Sequence, residues 1–246
     1  MADIAIIGGT GFSSLKMLEI THREMVSTPY GLPSAPIIFG EICGKKVAFL
    51  ARHGGGHTIP PHKVNYCANI WALQSVGAKK IIAIAAVGGI RGDMSPGKLA
   101  FPDQIIDYTS SRQTTFFEDK LSQVTHIDFT YPYNRPLRNS LIKVATENNL
   151  DACEDGTYGA TQGPRLETAA EITRMERDGC AMVGMTGMPE AALARELDVR
   201  YACCAVIANW AAGKSKGEIT MEDIELNLKG GMDKVHLLLE NALPVI

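Results

Sequence analysis

The chain has 246 residues, 46% of them apolar and 21% charged, with a formal net charge of −3. That is enough for one large domain with a full hydrophobic core, and the charge gives no electrostatic reason to expect nucleic acid or an anionic membrane as a partner. No apolar run approaches the roughly 20 residues that cross a bilayer, and Met1 to Ile7 lacks the basic stretch and long apolar core of a secretory signal.

Short apolar runs alternate with helical patterns, which predicts an α/β fold spanning residues 1–246 as a single domain. Residues 3–7 read as a first strand ending in Gly8-Gly9-Thr10-Gly11, and residues 46–51 as a second, ending at Arg52-His53-Gly54. Val64, Cys67, Ala68 and Trp71 then fall on one helical face. Residues 80–87 read as a buried strand closed by Gly88-Gly89, and residues 181–185 and 200–208 as two more. Met221, Ile224 and Leu228 share a helical face near the end, as do Met232, Val235 and Leu239, with Gly230-Gly231 placed to bend or divide that helix. The polar and glycine-rich clusters follow the strands at their C-terminal ends, the edge where open α/β sheets bind ligands.

Several familiar motifs fail on spacing. Gly8-Gly9-Thr10-Gly11 resembles a dinucleotide turn, but serines stand at 13 and 14 where a further glycine is needed. Gly213-Lys214-Ser215 lacks the first glycine of a phosphate loop, because Ala208 stands there. Gly213-Lys214-Ser215-Lys216-Gly217 matches G-x-S-x-G, with His53-Gly54-Gly55-Gly56 upstream and Asp223 and His236 downstream, as in a serine esterase. Too little chain follows Ser215 for the strands that would deliver the acid and histidine, so this segment reads as a solvated loop and a candidate lid. A nucleotide-binding regulatory protein is the other remote alternative. His53, His57 and His62 lie close in sequence, but three glycines separate the first two, and no cysteine or carboxylate is near; no metal is expected. The six cysteines include an adjacent pair, Cys203-Cys204, and no C-x-x-C, which points to reduced, buried thiols and a cytoplasmic protein.

The blocks that remain are Ile6-Ile7-Gly8-Gly9-Thr10-Gly11, Ala51-Arg52-His53-Gly54, His57-Thr58-Ile59-Pro60, Lys63-Val64-Asn65-Tyr66, Ala68-Asn69-Ile70-Trp71-Ala72-Leu73, Gln162-Gly163-Pro164-Arg165, Met185-Thr186 and Pro189-Glu190. In this order they resemble the trimeric purine nucleoside phosphorylase family that includes methylthioadenosine phosphorylase. The resemblance implies a mixed central sheet flanked by helices, and phosphorolysis of a purine nucleoside with inorganic phosphate as co-substrate. It also implies no metal, no organic cofactor, and a homotrimer with active sites near the subunit interfaces.

By that resemblance Thr10, Arg52, His53, Thr186 and the backbone N–H of Ala86 hold phosphate, which needs donors and positive charge. An Arg-His pair at a strand end before three glycines favours this over a surface ion pair for Arg52. Ala85 replaces a threonine expected in the phosphate loop. Met185 packs under the ribose, and Leu166 stacks on the base. At the base, Glu167, Asn209 and Ala211 depart from the serine and two aspartates of methylthioadenosine phosphorylases, and Glu167 and Asn209 match relatives acting on inosine and guanosine. A carboxylate accepts from N1–H of a 6-oxopurine, whereas adenine has a bare N1 acceptor; the Asn209 amide donates to O6 and receives N7–H. These two are the expected catalytic residues. Met221 stands where inosine-specific relatives place a histidine near the 5′-hydroxyl. With Ile224 it forms an apolar wall suited to a methylthio group, and His126 of a neighbouring subunit completes it. Met221 and Ile224 at i, i+3 also fit ordinary helix packing. The combination points to 5′-methylthioinosine, with methylthioadenosine and then inosine or guanosine behind it.

Overall fold

The computed structural model describes residues 2–12, 15–118 and 123–246; the Ser13-Ser14 pair set against a dinucleotide site lies outside them. One mixed sheet of eleven strands runs in the order β2-β3-β4-β1-β5-β10-β9-β7, with β11 branching from β5 and leading to β6 and β8. The strands are β1 (Ile4–Gly8), β2 (Glu19–Glu24), β3 (Ile37–Ile42), β4 (Lys45–Ala51), β5 (Lys80–Gly89), β6 (Leu99–Ala100), β7 (Gln104–Asp107), β8 (Ala152–Cys153), β9 (Thr157–Ala160), β10 (Cys180–Gly184) and β11 (Arg200–Trp210). The helices are α1 (Tyr66–Ser75), α2 (Arg135–Glu147), α3 (Ala169–Arg177), α4 (Gly187–Glu196) and α5 (Met221–Ala242).

The central strands are those whose sequences are apolar throughout. β1 and β10 are buried at every position, and β11 from Tyr201 to Ala208, as expected of strands covered on both faces. Cys203 and Cys204 are core residues of β11, and burial pushes both thiols up, out of the reactive range. The outer strand β2 (sequence EITHRE) is exposed along its length, and its charges guard the free edge. Side-chain caps begin the helices: Asn65 accepts from Ala68 N–H, Asn134 from Leu137 N–H, and Thr220 from Asp223 N–H. Thr168 and Glu171 close a reciprocal capping box on α3.

The sheet positions the site through an interruption along β5. β1 pairs with β5 in parallel only from Ile4–Lys80 to Ile7–Ala83. β10 joins the same strand antiparallel, at Val183–Gly88 and Met182–Gly89. Between Ala83 and Gly88 no strand pairs with that edge, while the opposite edge stays paired with β11. The C-terminal ends of β1 and β10 therefore point toward each other across the gap, and both chains turn there, at Gly8-Gly9-Thr10 and at Gly184-Met185-Thr186.

Gly230 and Gly231 neither bend nor divide the last helix; α5 runs unbroken for 22 residues. Gly231 serves close packing instead, since a Cβ there would lie 2.2 Å from Val206 Cγ1 of β11. Gly230 is exposed, with nothing within 4 Å of a Cβ. The two glycines should respond oppositely to alanine. Gly231→Ala should cost about 1–3 kcal/mol by forcing helix from sheet, and Gly230→Ala should stabilise by about 0.5–1 kcal/mol through helix propensity. Urea unfolding of both variants measures this; equal shifts would contradict the packing.

Candidate active site

The residues expected to hold phosphate gather at the gap in β5. Arg52 follows β4 and is 1% exposed. Its Nε and Nη2 donate to Glu190 Oε2 and Oε1 at 2.7 and 2.8 Å, and Nη1 donates to the Ile84 carbonyl at 2.9 Å. Glu190, in the first turn of α4, is fully buried and also accepts from the Tyr201 hydroxyl at 2.8 Å. Burial alone would lower the Arg52 pKa, but the Glu190 carboxylate reverses this and holds it above its ordinary value. The ion pair set aside for Arg52 thus exists, in the interior rather than on the surface.

Three of the five N–H donors of a guanidinium are engaged, which leaves one on Nη1 and one on Nη2. Nη1 faces the first turn. A Cβ at Gly9 would lie 2.8 Å from Arg52 Nη1 and 2.6 Å from the Ile84 carbonyl, so glycine there lets the turn close onto the guanidinium. Main-chain groups alternate sides along a strand, so the Ala86 N–H projects to the same unpaired edge as the Ile84 carbonyl. Ala85 is buried and pairs with Ala205 of β11. From the other side comes Thr186, 8% exposed; it precedes α4 but makes no side-chain capping bond, which frees its hydroxyl.

His53 differs from the expected cationic donor. Its Nδ1 lies 2.8 Å from the Ile59 carbonyl, which can only accept, so Nδ1 carries the proton. Burial and then the Arg52 charge lower its pKa to about 4, so the ring is neutral near pH 7 and Nε2 is an acceptor. His57, considered above only as a metal ligand, lies with its ring centroid 4.7 Å from that of His53, and its Nε2 is 3.5 Å from Thr10 Oγ1. Among the described residues no three His, Cys, Asp or Glu side chains form a metal-binding group.

The residues expected to read the base lie at the end of β11 and in the loop between β9 and α3. Asn209 lies within β11 rather than after it, at a register shift opposite Gly88. Its Nδ2 donates to the Trp210 carbonyl at 2.7 Å. Because a carbonyl only accepts, that bond fixes which way the amide faces, leaving the second N–H and Oδ1 free. Glu167 Oε1 accepts from the Thr161 hydroxyl at 2.6 Å, and the Thr161 backbone N–H donates to the Gly184 carbonyl at 2.8 Å. Met185 is half-buried just beyond β10, and Leu166 is 44% exposed.

Helix α5 covers the first turn. Leu228 and Met232 come within 3.7 and 3.4 Å of a Cβ at Gly11, and Asn227 Nδ2 donates to the Ala208 carbonyl. Ile224 is buried by this packing, whereas Met221 on the same face is 63% exposed. Ordinary helix packing therefore accounts for Ile224 and not for Met221. His126 is exposed.

No triad forms around Ser215. The serine is exposed, the His236 ring packs on Phe12 at 5.1 Å, and the Asp223 carboxylate accepts from Thr220. Lys214 pairs with Glu176 at 2.6 Å, anchoring the 213–217 loop to α3.

The family model of the phosphorylase superfamily matches residues 3–244. The chain belongs to this superfamily. It is 54% identical over 243 residues to a protein of Pseudomonas syringae named "Probable S-methyl-5'-thioinosine phosphorylase", covering 99% of each. It is 47% identical over 252 residues to the 6-oxopurine nucleoside phosphorylase of Pyrococcus furiosus, covering all of this chain and 94% of that one. The structure of methylthioadenosine phosphorylase from Schistosoma mansoni with adenine superposes with a TM-score of 0.95 at 29% identity, covering all of this chain and 92% of that one. The enzyme is a purine nucleoside phosphorylase with a mixed sheet flanked by helices.

Two stability predictions follow from the buried groups. Glu190→Ala leaves Arg52 charged and unpaired in the core and should cost about 3–5 kcal/mol, read by urea unfolding; a loss near zero would mean the pair is not formed. His53 binds a proton near pH 6.5 when unfolded and near 4 when folded. In that window the unfolded chain holds more protons, so stability falls as pH drops from 6.5 toward 4. The melting-temperature advantage of wild type over His53→Gln should shrink across this window and stay flat above it.

Proposed function

We propose that the enzyme cleaves S-methyl-5′-thioinosine with inorganic phosphate, releasing hypoxanthine and 5-methylthioribose 1-phosphate. The observation that supports the substrate is an Asn209 amide held in one orientation by the Trp210 carbonyl, together with a Glu167 carboxylate held by Thr161. Glu167 Oε2 accepts N1–H of the 6-oxopurine, while Oε1 stays on Thr161. The free Asn209 N–H donates to O6, and Oδ1 accepts N7–H. The relatives from Pseudomonas and Pyrococcus support a 6-oxopurine, and the exposed Met221 beside Ile224 supports an apolar 5′ substituent.

Phosphate sits in the β5 gap against Thr10, the two free N–H groups of Arg52, the Ala86 N–H and the Thr186 hydroxyl. His53 Nε2 accepts from a phosphate hydroxyl. One phosphate oxygen attacks C1′ as the C1′–N9 bond breaks, and the bonding pair leaves with the base. The base takes a proton from solvent at N7, where Asn209 Oδ1 accepts the N7–H. Phosphate charge beside C1′ stabilises the oxocarbenium character of the ribose, which Met185 packs against. The working form is a cytoplasmic homotrimer acting through one domain over residues 1–246. In it a neighbour's His126 completes the 5′ pocket over Met221, and Leu166 stacks on the base. Phosphate is the only co-substrate.

Phosphate-dependent assays should give S-methyl-5′-thioinosine a higher kcat/KM than methylthioadenosine or inosine, because sites built on paired buried polar groups discriminate by up to ~10⁴-fold. Glu167→Ser with Asn209→Asp should move the ratio toward methylthioadenosine, partially because Ala211 stays, while each single change only lowers activity. Methylthioadenosine as the best wild-type substrate would refute the base assignment.

A further inference from the structure

The segment after β7 carries an arginine that neither motif nor spacing singles out. Arg112 Nε donates to Gln162 Oε1 at 3.0 Å, and Nη2 to the carbonyls of Thr161 and Gln162 at 3.1 and 2.9 Å. Nη1 donates to the carbonyls of Met185 and Met188 at 2.8 and 2.6 Å and to the Tyr66 hydroxyl at 3.3 Å. The guanidinium also lies over the Tyr66 ring, 5.4 Å from its centroid. Every N–H direction of the fork is used, and no carboxylate is among the acceptors.

These acceptors belong to two arms of the site. Thr161 holds Glu167, which reads the base. Met185 and Met188 bracket Thr186, and two residues beyond Met188 stands Glu190, the partner of Arg52. Among the described residues, only Arg112 binds both arms through one rigid planar group. Lysine cannot substitute for it, because three tetrahedral donors cannot reach carbonyls on so many sides of one plane.

We propose that Arg112 is a positioning residue for phosphorolysis: it sets the distance between the base-reading arm at Thr161–Glu167 and the ribose- and phosphate-facing arm at Met185–Thr186. The inference rests on the function proposed above. Its mechanism is geometric, since a misplacement near 1 Å away from the reacting atoms lowers rates by roughly 100-fold.

The test measures kcat/KM for wild type, Arg112→Met, Arg112→Lys, Glu167→Gln and the Arg112→Met/Glu167→Gln double variant, using whichever nucleoside wild type cleaves best. A wild type without phosphate-dependent cleavage refutes the function itself, before any Arg112 variant is compared. Arg112→Met should lose roughly 10- to 100-fold, with Arg112→Lys nearer to it than to wild type. The penalty of Glu167→Gln should shrink severalfold in the Arg112→Met background, because the carboxylate is already misplaced. Should Arg112→Met not fold, Arg112→Lys, which keeps the charge over Tyr66, takes its place in the cycle. Additive losses, or an Arg112→Lys enzyme equal to wild type, would overturn the assignment.

Discussion

The contact on which the site depends is the buried pair between Arg52 and Glu190, set in the edge of β5 that no strand covers. A gap in a central sheet leaves main-chain groups in need of partners. Arg52 Nη1 satisfies the Ile84 carbonyl there, and Glu190 neutralises the charge that this requires. Charges this deep persist only when paired and hydrogen-bonded, and the Tyr201 hydroxyl supplies a further bond to the carboxylate. The pair also joins the end of β4 to the start of α4, so the turns of β1 and β10 meet at one point. An apolar plug could fill the same volume at no loss of stability. What it could not do is leave free N–H donors on a guanidinium beside a glycine turn.

This arrangement alters the electrostatics of anion binding. With Arg52 compensated and His53 neutral, neither brings net positive charge to the gap. On the proposed function, phosphate recognition then depends on oriented donors: the Thr10 and Thr186 hydroxyls, the Ala86 N–H and the free N–H groups of Arg52. Arg112, ringed by carbonyls instead of a carboxylate, is the nearby guanidinium whose charge no acid cancels. A weakly charged pocket suits an enzyme that must also release a sugar phosphate, because a cage of free cations would hold its product.

The central strands were legible because double-sided burial demands unbroken apolar runs: β1, β4, β5, β10 and β11 all lie within two residues of the expected bounds. Strand β2 carries no such signal, since an exposed edge tolerates Glu, His and Arg, whereas the mostly buried β3 (sequence IIFGEI) does. The two-residue strands β6 and β8 depend wholly on their neighbours. Gly230-Gly231 was misread because glycine signals both a helix break and a close approach, and only Val206 across the interface decides between them. The site followed the same division. Thr10, Arg52, His53 and Thr186 were recognisable at strand ends, but the role of Glu190 was not, because its partner lies 138 residues away in sequence. Arg112 sits in a polar stretch whose composition reads as loop, and its acceptors are carbonyls, which leave no trace in a sequence.

The contrast between Ile224 and Met221 separates core packing from exposed surface on one helix face. Both lie on one face of α5, yet one is buried and the other 63% exposed. A methionine left this open gains nothing from the chain's own core. On the proposed function a ligand or another subunit covers it, and an unbranched thioether adapts to either. The base end is organised differently: Asn209 and Glu167 are each fixed by a hydrogen bond within the chain before any ligand arrives. On the proposed function, selection of the purine rests on groups that the chain itself preorganises. On that reading, changing the base requires rebuilding two preorganised hydrogen-bonding groups together.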